Sequence, residues 1–281
     1  VKYLVLGSEG QIGKFLTSYI RDCGHEAIEY DVRHDPMEDL RLFGKHRNAK
    51  HKILNERIKE ADFIFFLAWD VGGSKYLSRA ENSFHFLQNN IALMQNTFFF
   101  INKYNKPFIF TSSQMSSMVH SVYGNTKLIG ERYTKLLGGI CVKLWNVYGP
   151  EKIDERSHVI TDFVHMAKNK NNIVMRTSGE ELRQFLYVGD CCEALMIISK
   201  EYNKISRDKE IHISSFAWIS IEEIARIISN MYNCTYTKGN LKDDVQMAIQ
   251  IEPDPFILNY WKPKFSLKSG IERFIKDIES Y

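Results

Sequence analysis

The sequence predicts an α/β protein: a doubly wound parallel sheet with helices on both faces, followed by a smaller C-terminal α/β lobe. Three observations predict it. The chain opens on a short apolar, β-rich run that stops in three spaced glycines, and short strand-like runs then alternate with helical patterns. After Gly149-Pro150 this alternation loosens. Residues 1–150 are therefore expected to form a nucleotide-binding domain, and 151–281 mostly the smaller lobe, with some segments returning to the main domain.

The first strand, 2–6, runs into Gly7-Ser8-Glu9-Gly10-Gln11-Ile12-Gly13. Gly7 permits the tight turn, Gly10 lets a pyrophosphate approach the backbone, and Gly13 lets helix and strand pack closely. Ile12, Leu16, Ile20 and Cys23 then fall at helical spacing, and this helix would turn its free N–H groups and positive dipole end toward phosphates. A second apolar segment, Glu26-Ala27-Ile28, closes in Glu29-Tyr30-Asp31. Asp31 sits near the offset, about 20 residues, at which a carboxylate reaches an adenosine ribose. Its acceptor oxygens favour the 2′-hydroxyl of NAD over the 2′-phosphate of NADP, although Arg33 leaves some room for NADP. Either feature alone is weak: an acid at a strand end is often only solvated.

Further strands are expected at 63–68, 108–111 and 140–144, separated by helical patterns at 53–58, 84–101 and 126–137. Phe98-Phe99-Phe100 reads as one buried face of a helix over 82–104. Beyond Pro150 the pattern gives a helix at 159–168, strands at 173–175 and 185–188, and a helix at 219–232. The Lys- and Asn-rich stretches 168–172 and 204–209 read as solvated loops.

At 281 residues with a net charge of +3 and no basic block, the chain gives no warrant for nucleic acid or a membrane surface, while a small anionic ligand remains compatible. Five cysteines without CxxC spacing suggest neither a disulfide framework nor a zinc site, so no metal is expected and a cytoplasmic, reducing setting is. Cys191 and Cys192 read as helix packing. No stretch approaches the roughly 20 apolar residues of a membrane span, and no signal-peptide pattern is expected at the start.

The strand at 108–111 leads into Ser112-Ser113-Gln114, a hydroxyl cluster where doubly wound sheets place ligands. Ten residues after Ser113 comes Tyr123-Gly124-Asn125-Thr126-Lys127. Tyr-x-x-x-Lys recurs at Tyr148 and Tyr260, but Pro150 and Pro263 interrupt those copies, whereas Tyr123 to Lys127 leads into a helix that puts both on one face. A lysine ammonium beside a phenol lowers its pKa, so Tyr123 is expected to act as a general base.

In order and spacing, Gly7-x-x-Gly10-x-x-Gly13, Asp31, Phe66-Leu67-Ala68, Asn90, Thr111-Ser112-Ser113, Tyr123-x-x-x-Lys127, Asn146-Val147-Tyr148-Gly149-Pro150 and Arg183-Gln184-Phe185-Leu186-Tyr187-Val188 resemble the extended short-chain dehydrogenase/reductase superfamily, in its NAD-dependent sugar epimerase/dehydratase branch. The resemblance covers almost the whole chain and implies a Rossmann fold. It implies NAD held by Gly7, Gly10, Gln11, Ile12, Gly13, Asp31, Leu67, Ala68, Tyr123 and Lys127, with Lys127 on the nicotinamide ribose. A nucleotide-diphosphate sugar would meet Gly72, Gly73, Ser113, Asn146 and Arg183. Arg183 offers a bidentate fork to phosphate oxygens, though without this context it reads as a surface salt bridge. Ser113, Tyr123 and Lys127 would be catalytic, Ser113 bonding the reacting sugar oxygen. The resemblance also implies a homodimer through the two long helices, for which Phe84, Phe86, Phe98, Phe99, Phe100, Leu128, Tyr133 and Leu136 supply apolar surface.

Departures from the family narrow the reaction. Where 4,6-dehydratases carry an Asp-Glu pair, this chain has Gln114 and Met115. The epimerase-reductases that make deoxysugars are similar at Val71-Gly72-Gly73 but use a cysteine in place of Met115. Neither Gln114 nor Met115 can donate and recover a proton near neutral pH. Asp70 is a candidate replacement acid and also a candidate helix cap; His120 and His158 read as sugar neighbours or as surface, Glu151 and Lys152 as rim. The reading favoured is a 4-epimerase working through a transient 4-keto sugar, because Asp31 points to tightly held NAD. A C4 dehydrogenase or 4-ketoreductase is the alternative, with a 4,6-dehydratase or a non-catalytic dinucleotide sensor behind it.

Overall fold

The computed structural model describes residues 1–42, 51–243, 245–246 and 251–279. Its central sheet is six-stranded and parallel, built from β1 (Lys2–Leu6), β2 (Glu26–Tyr30), β3 (Phe63–Phe66), β4 (Phe108–Ser113), β5 (Ile140–Leu144) and, beyond β6 (Asn146–Tyr148), β7 (Asn172–Val174) and β8 (Leu182–Tyr187), β9 (Ile211–Ile213). The order is β2-β1-β3-β4-β5-β9. The order in which strands are added reverses between β1 and β3, so the crevice at the carboxyl ends of these strands is the ligand position of a doubly wound sheet.

Both faces are covered, as the continuous apolar character of the strands requires. Successive side chains point to opposite faces. Tyr3, Val5, Phe63 and Phe65 pack into one core with Leu16 and Ile20 of α1 (Gln11–Asp22), while Leu4, Leu6, Ile64, Phe66, Phe108 and Phe110 pack into the other. That second core is closed by α2 (Lys52–Glu60) and, after the short α3 (Ser74–Ala80), by α4 (Phe84–Tyr104). Then α5 (Val122–Leu136) crosses β4, where Gly130 lies so close to the Phe110 ring that a Cβ would come within 2.4 Å of it.

The smaller lobe contains α6 (Val159–Lys170) and the parallel pair of β7 with β11 (Thr235–Thr237), packed with α8 (Ile221–Tyr232). Between them in sequence, α7 (Val188–Lys200) returns to pack on α1. A second sheet orders β10 (Trp218–Ser220), β8 and β6, and α9 (Leu267–Glu279) lies against β8. Cys191 and Cys192 are buried in α7. None of the described helices is long and apolar enough to cross a membrane.

Several local expectations are corrected. Phe98, Phe99 and Phe100 do not share a buried face: neighbouring helical residues point about 100° apart, so Phe99 faces solvent between two buried rings. Residues 168–170 form the last turn of α6, which Asn171 ends in a left-handed conformation, rather than a loop. Cys23 lies just past α1 and is exposed. Ile219 belongs to β10, and the helix starts only after the Ser220 cap. Strand β4 runs two residues past the expected 108–111, to Ser113.

Candidate active site

A cleft of about 1220 Å³ opens along the carboxyl ends of β1, β3 and β4 and continues into the smaller lobe. Its lining includes every residue expected at the cofactor (Gly7, Gly10, Gln11, Ile12, Gly13, Asp31, Leu67, Ala68), at the chemistry (Ser113, Tyr123, Lys127) and at the substrate (Gly72, Gly73, Asn146, Arg183). Glu151, Lys152 and His158 line it as well, whereas His120 is exposed and lies outside it.

At the dinucleotide end the backbone forms a cradle that side chains would fill. Gly7 has φ +89 and its missing Cβ would sit 2.7 Å from the Ala68 nitrogen; at Gly13 a Cβ would lie 2.0 Å from the Gly7 carbonyl oxygen. Helix α1 begins at Gly10 with no side-chain cap, so its first N–H groups stay available to an anion. Asp31 accepts from the Glu9 and Arg33 backbone N–H groups, at 3.1 and 2.9 Å. Arg33 itself turns to the Glu9 carbonyl at 2.8 Å. Glu9, Glu29 and His34 also converge at this rim, where Lys14 and Arg21 pair with the carboxylates. The residues present fit a dinucleotide.

Ser113 and Tyr123 are brought together. The Ser113 hydroxyl oxygen accepts from the Met115 N–H at 3.2 Å, and Ser113 and Tyr123 line the same cleft. Burial pushes the Tyr123 phenol up to about 12, with the Ser113 side chain pulling the other way. This corrects the expectation that Lys127 lowers it. The helical spacing does put Lys127 on the same face, but its Nζ donates to the Thr111 carbonyl at 2.6 Å and sits 3.9 Å over the Trp69 ring. Burial pulls this ammonium down to about 7.

Asp70 is not a replacement acid. Burial pushes its pKa up, but hydrogen bonds from Asn89, Arg156 and Tyr76 outweigh it and hold the carboxyl below its usual value. The Asn90 amide pairs with the Asp70 backbone at both N–H and carbonyl. Gln114 and Met115 are buried and present an amide and a thioether next to Ser113. At the smaller lobe's side of the cleft, His158 bonds Glu151 at 2.8 Å; burial pulls the imidazole down, yet the Glu151 charge outweighs it and leaves the pKa raised.

Sequence reasoning missed four contributors. Glu81 is buried and accepts from the Ser121 hydroxyl at 2.8 Å and the Tyr123 N–H at 3.2 Å, fixing the start of α5 beneath Tyr123. Trp69 directly follows the expected Ala68, so its place was open to inspection. Asp243 and Gln246, which bind Arg183 and Asn146, carry no local signal.

Residues 3–214 match the model of the NAD dependent epimerase/dehydratase family. UDP-glucuronic acid decarboxylase 1 of Arabidopsis thaliana is 22% identical over 310 residues, covering 100% of this chain and 70% of that protein. A GDP-L-fucose synthase of Sinorhizobium fredii is 32% identical over 149 residues, 47% of this chain and 46% of its own length. Among solved structures, a UDP-glucose 4-epimerase of Thermotoga maritima with UDP-glucose superposes with a TM-score of 0.79 at 18% identity, covering 100% of this chain and 99% of that one.

Proposed function

The chain belongs to the NAD dependent epimerase/dehydratase family and is an enzyme of the extended short-chain dehydrogenase/reductase type; from that premise we propose that it inverts C4 of a nucleotide-diphosphate sugar with NAD. One observation carries the reading: Ser113, Tyr123 and Lys127 meet in a single cleft with the glycine cradle, while the positions after Ser113 hold no group able to expel water or to epimerise beside a ketone. Relatives with decarboxylase, fucose synthase and epimerase names share the fold, so the choice among reactions rests on these side chains.

In this reading Tyr123 takes the C4 hydroxyl proton, and Ser113, in the same cleft, bonds the same sugar oxygen. NAD, which the glycine cradle and Asp31 would hold, would supply reversible hydride exchange at C4. Lys127 would hold the nicotinamide ribose, and Asp31 would present carboxylate oxygens to a ribose 2′-hydroxyl. Asp31 favours NAD over NADP because a 2′-phosphate would be placed against a fixed carboxylate whose hydrogen-bond partners, the Glu9 and Arg33 N–H groups, hold it in place. Arg183 and Asn146 sit at the substrate end of the cleft, where a diphosphate would need donors.

The test is incubation of the enzyme and NAD with UDP-, GDP-, dTDP- and CDP-hexoses. Inversion at C4 without accumulation of NADH supports the proposal. Stoichiometric NADH, or turnover only of a 4-keto sugar with a reduced cofactor, replaces it with the dehydrogenase or ketoreductase alternative. A product lighter by one water overturns it.

A further inference from the structure

Two of the side chains assigned to the substrate, Arg183 and Asn146, are already occupied from within the chain. Arg183 Nη2 donates to Asp243 Oδ2 at 2.6 Å and to the Gln246 carbonyl at 2.9 Å, and its Nη1 donates to the Leu182 carbonyl at 2.7 Å. Gln246 Nε2 donates to Asn146 Oδ1 at 3.1 Å. The other Asp243 oxygen accepts from the Val245 and Gln246 N–H groups, at 2.9 and 3.2 Å, and Val245 is buried in one apolar cluster with Met115 and Tyr123. Asp243, Val245 and Gln246 thus join the polar contacts at Arg183 and Asn146 to the apolar cluster that holds Tyr123.

We propose that Asp243 is a specificity-determining residue: its carboxylate holds the diphosphate position on Arg183, so only a ligand with enough negative charge to displace it gains the cleft. This rests on the reading that Arg183 takes the diphosphate. A phosphate oxygen and the Asp243 carboxylate cannot share one guanidinium edge, because two anions a few ångström apart repel strongly where solvent is sparse, and both side chains of the pair are more than four-fifths buried. Displacement also draws Val245 away from Tyr123 and opens room for the sugar. A neutral sugar lacks the charge to start this exchange, and every ligand's affinity is reduced by the fraction of molecules in which Asp243 has let go. The closed arrangement carries its own mark of strain: Gln246 Oε1 is buried with no hydrogen-bond partner among the described residues.

The full chain with NAD is titrated calorimetrically with UDP, GDP, dTDP and CDP, as wild type, Asp243→Asn and Arg183→Ala. Asparagine keeps the acceptor for Val245 and Gln246 but removes the charge. The nucleotide that binds wild type should bind Asp243→Asn about tenfold tighter and Arg183→Ala far more weakly. Amide exchange at Val245 and Gln246 should accelerate when ligand is added to wild type. Unchanged or weaker binding in Asp243→Asn, or protection of those amides by ligand, overturns the inference while loss in Arg183→Ala leaves the diphosphate reading standing. Binding by Arg183→Ala equal to wild type, or by no variant, overturns both.

Discussion

Replacing Lys127 with Met should stabilise the cofactor-free protein while removing turnover. Lys127 is 3% exposed, and burial lowers its pKa from 10.5 to about 7. That drop corresponds to about 5 kcal/mol of preference for the neutral form. The Thr111 carbonyl bond returns about 1 kcal/mol and the Trp69 ring up to about 2 kcal/mol. A methionine of similar length should therefore gain about 2 kcal/mol near pH 6. The folded pKa lies below the unfolded one, so between about 7 and 10.5 the unfolded chain binds the extra proton and wild-type stability rises with pH. The penalty is complete below about pH 7 and gone above 10.5, and the advantage of the variant shrinks across that window. Urea denaturation of both proteins at about pH 6, 8 and 10 measures it. A wild type at least as stable as the variant at the acid end, or a gap that widens with pH, would refute the view of Lys127 as a buried cation kept for chemistry.

Tyr123→Phe should lower turnover by about 10²-fold or more while nucleotide-sugar affinity stays near wild type, as steady-state kinetics and calorimetry will show; near-normal turnover removes the phenol from the mechanism. Asp31→Ala should weaken NAD and narrow the NAD/NADP ratio, read by titrating both cofactors, and an unchanged ratio means Asp31 does not meet the ribose. Leu136 and Phe84, 84% and 72% exposed on α5 and α4, are expected to lie in a homodimer contact. Light scattering at micromolar concentration should return twice the chain mass, and Leu136→Glu should shift it toward the monomer.

The parallel sheet was legible because its strands are short apolar runs between glycine and proline, and β1 and β5 fall at their expected residues. Helix α7 was legible only at Cys191 and Cys192, and its extent was not, for a physical reason: Cys191, Cys192, Ala194, Leu195, Met196 and Ile198 are all buried, and a helix covered nearly all round shows no amphipathic stripe. Strand β9 is three residues long, too short for a period of two to register, yet it completes the edge of the sheet beside β5.

The site divides along the same line. Residues tied to local backbone geometry, such as the glycines and the Tyr123 to Lys127 spacing, can be read from neighbours in sequence. Residues that act through partners far along the chain cannot: Asp243 reaches Arg183 across 60 positions, and Glu81 reaches Tyr123 across 42. The same limit explains the error over Lys127. A separation of four fixes which face of a helix a side chain leaves from, but the course of a four-carbon stem is set by what surrounds its end. Here the Thr111 carbonyl and the Trp69 ring offer the ammonium two partners inside the core, and the phenol is left to burial and to Ser113. Lowering the Tyr123 pKa toward neutrality therefore requires charge that arrives with the cofactor or a Lys127 that moves off Trp69. Trp69→Leu tests the second route: with the ring gone the ammonium should titrate at lower pH, and the alkaline limb of the turnover profile, where its charge is lost, should move down with it. A profile unchanged by that substitution would mean that Lys127 already leaves Trp69 in the working enzyme.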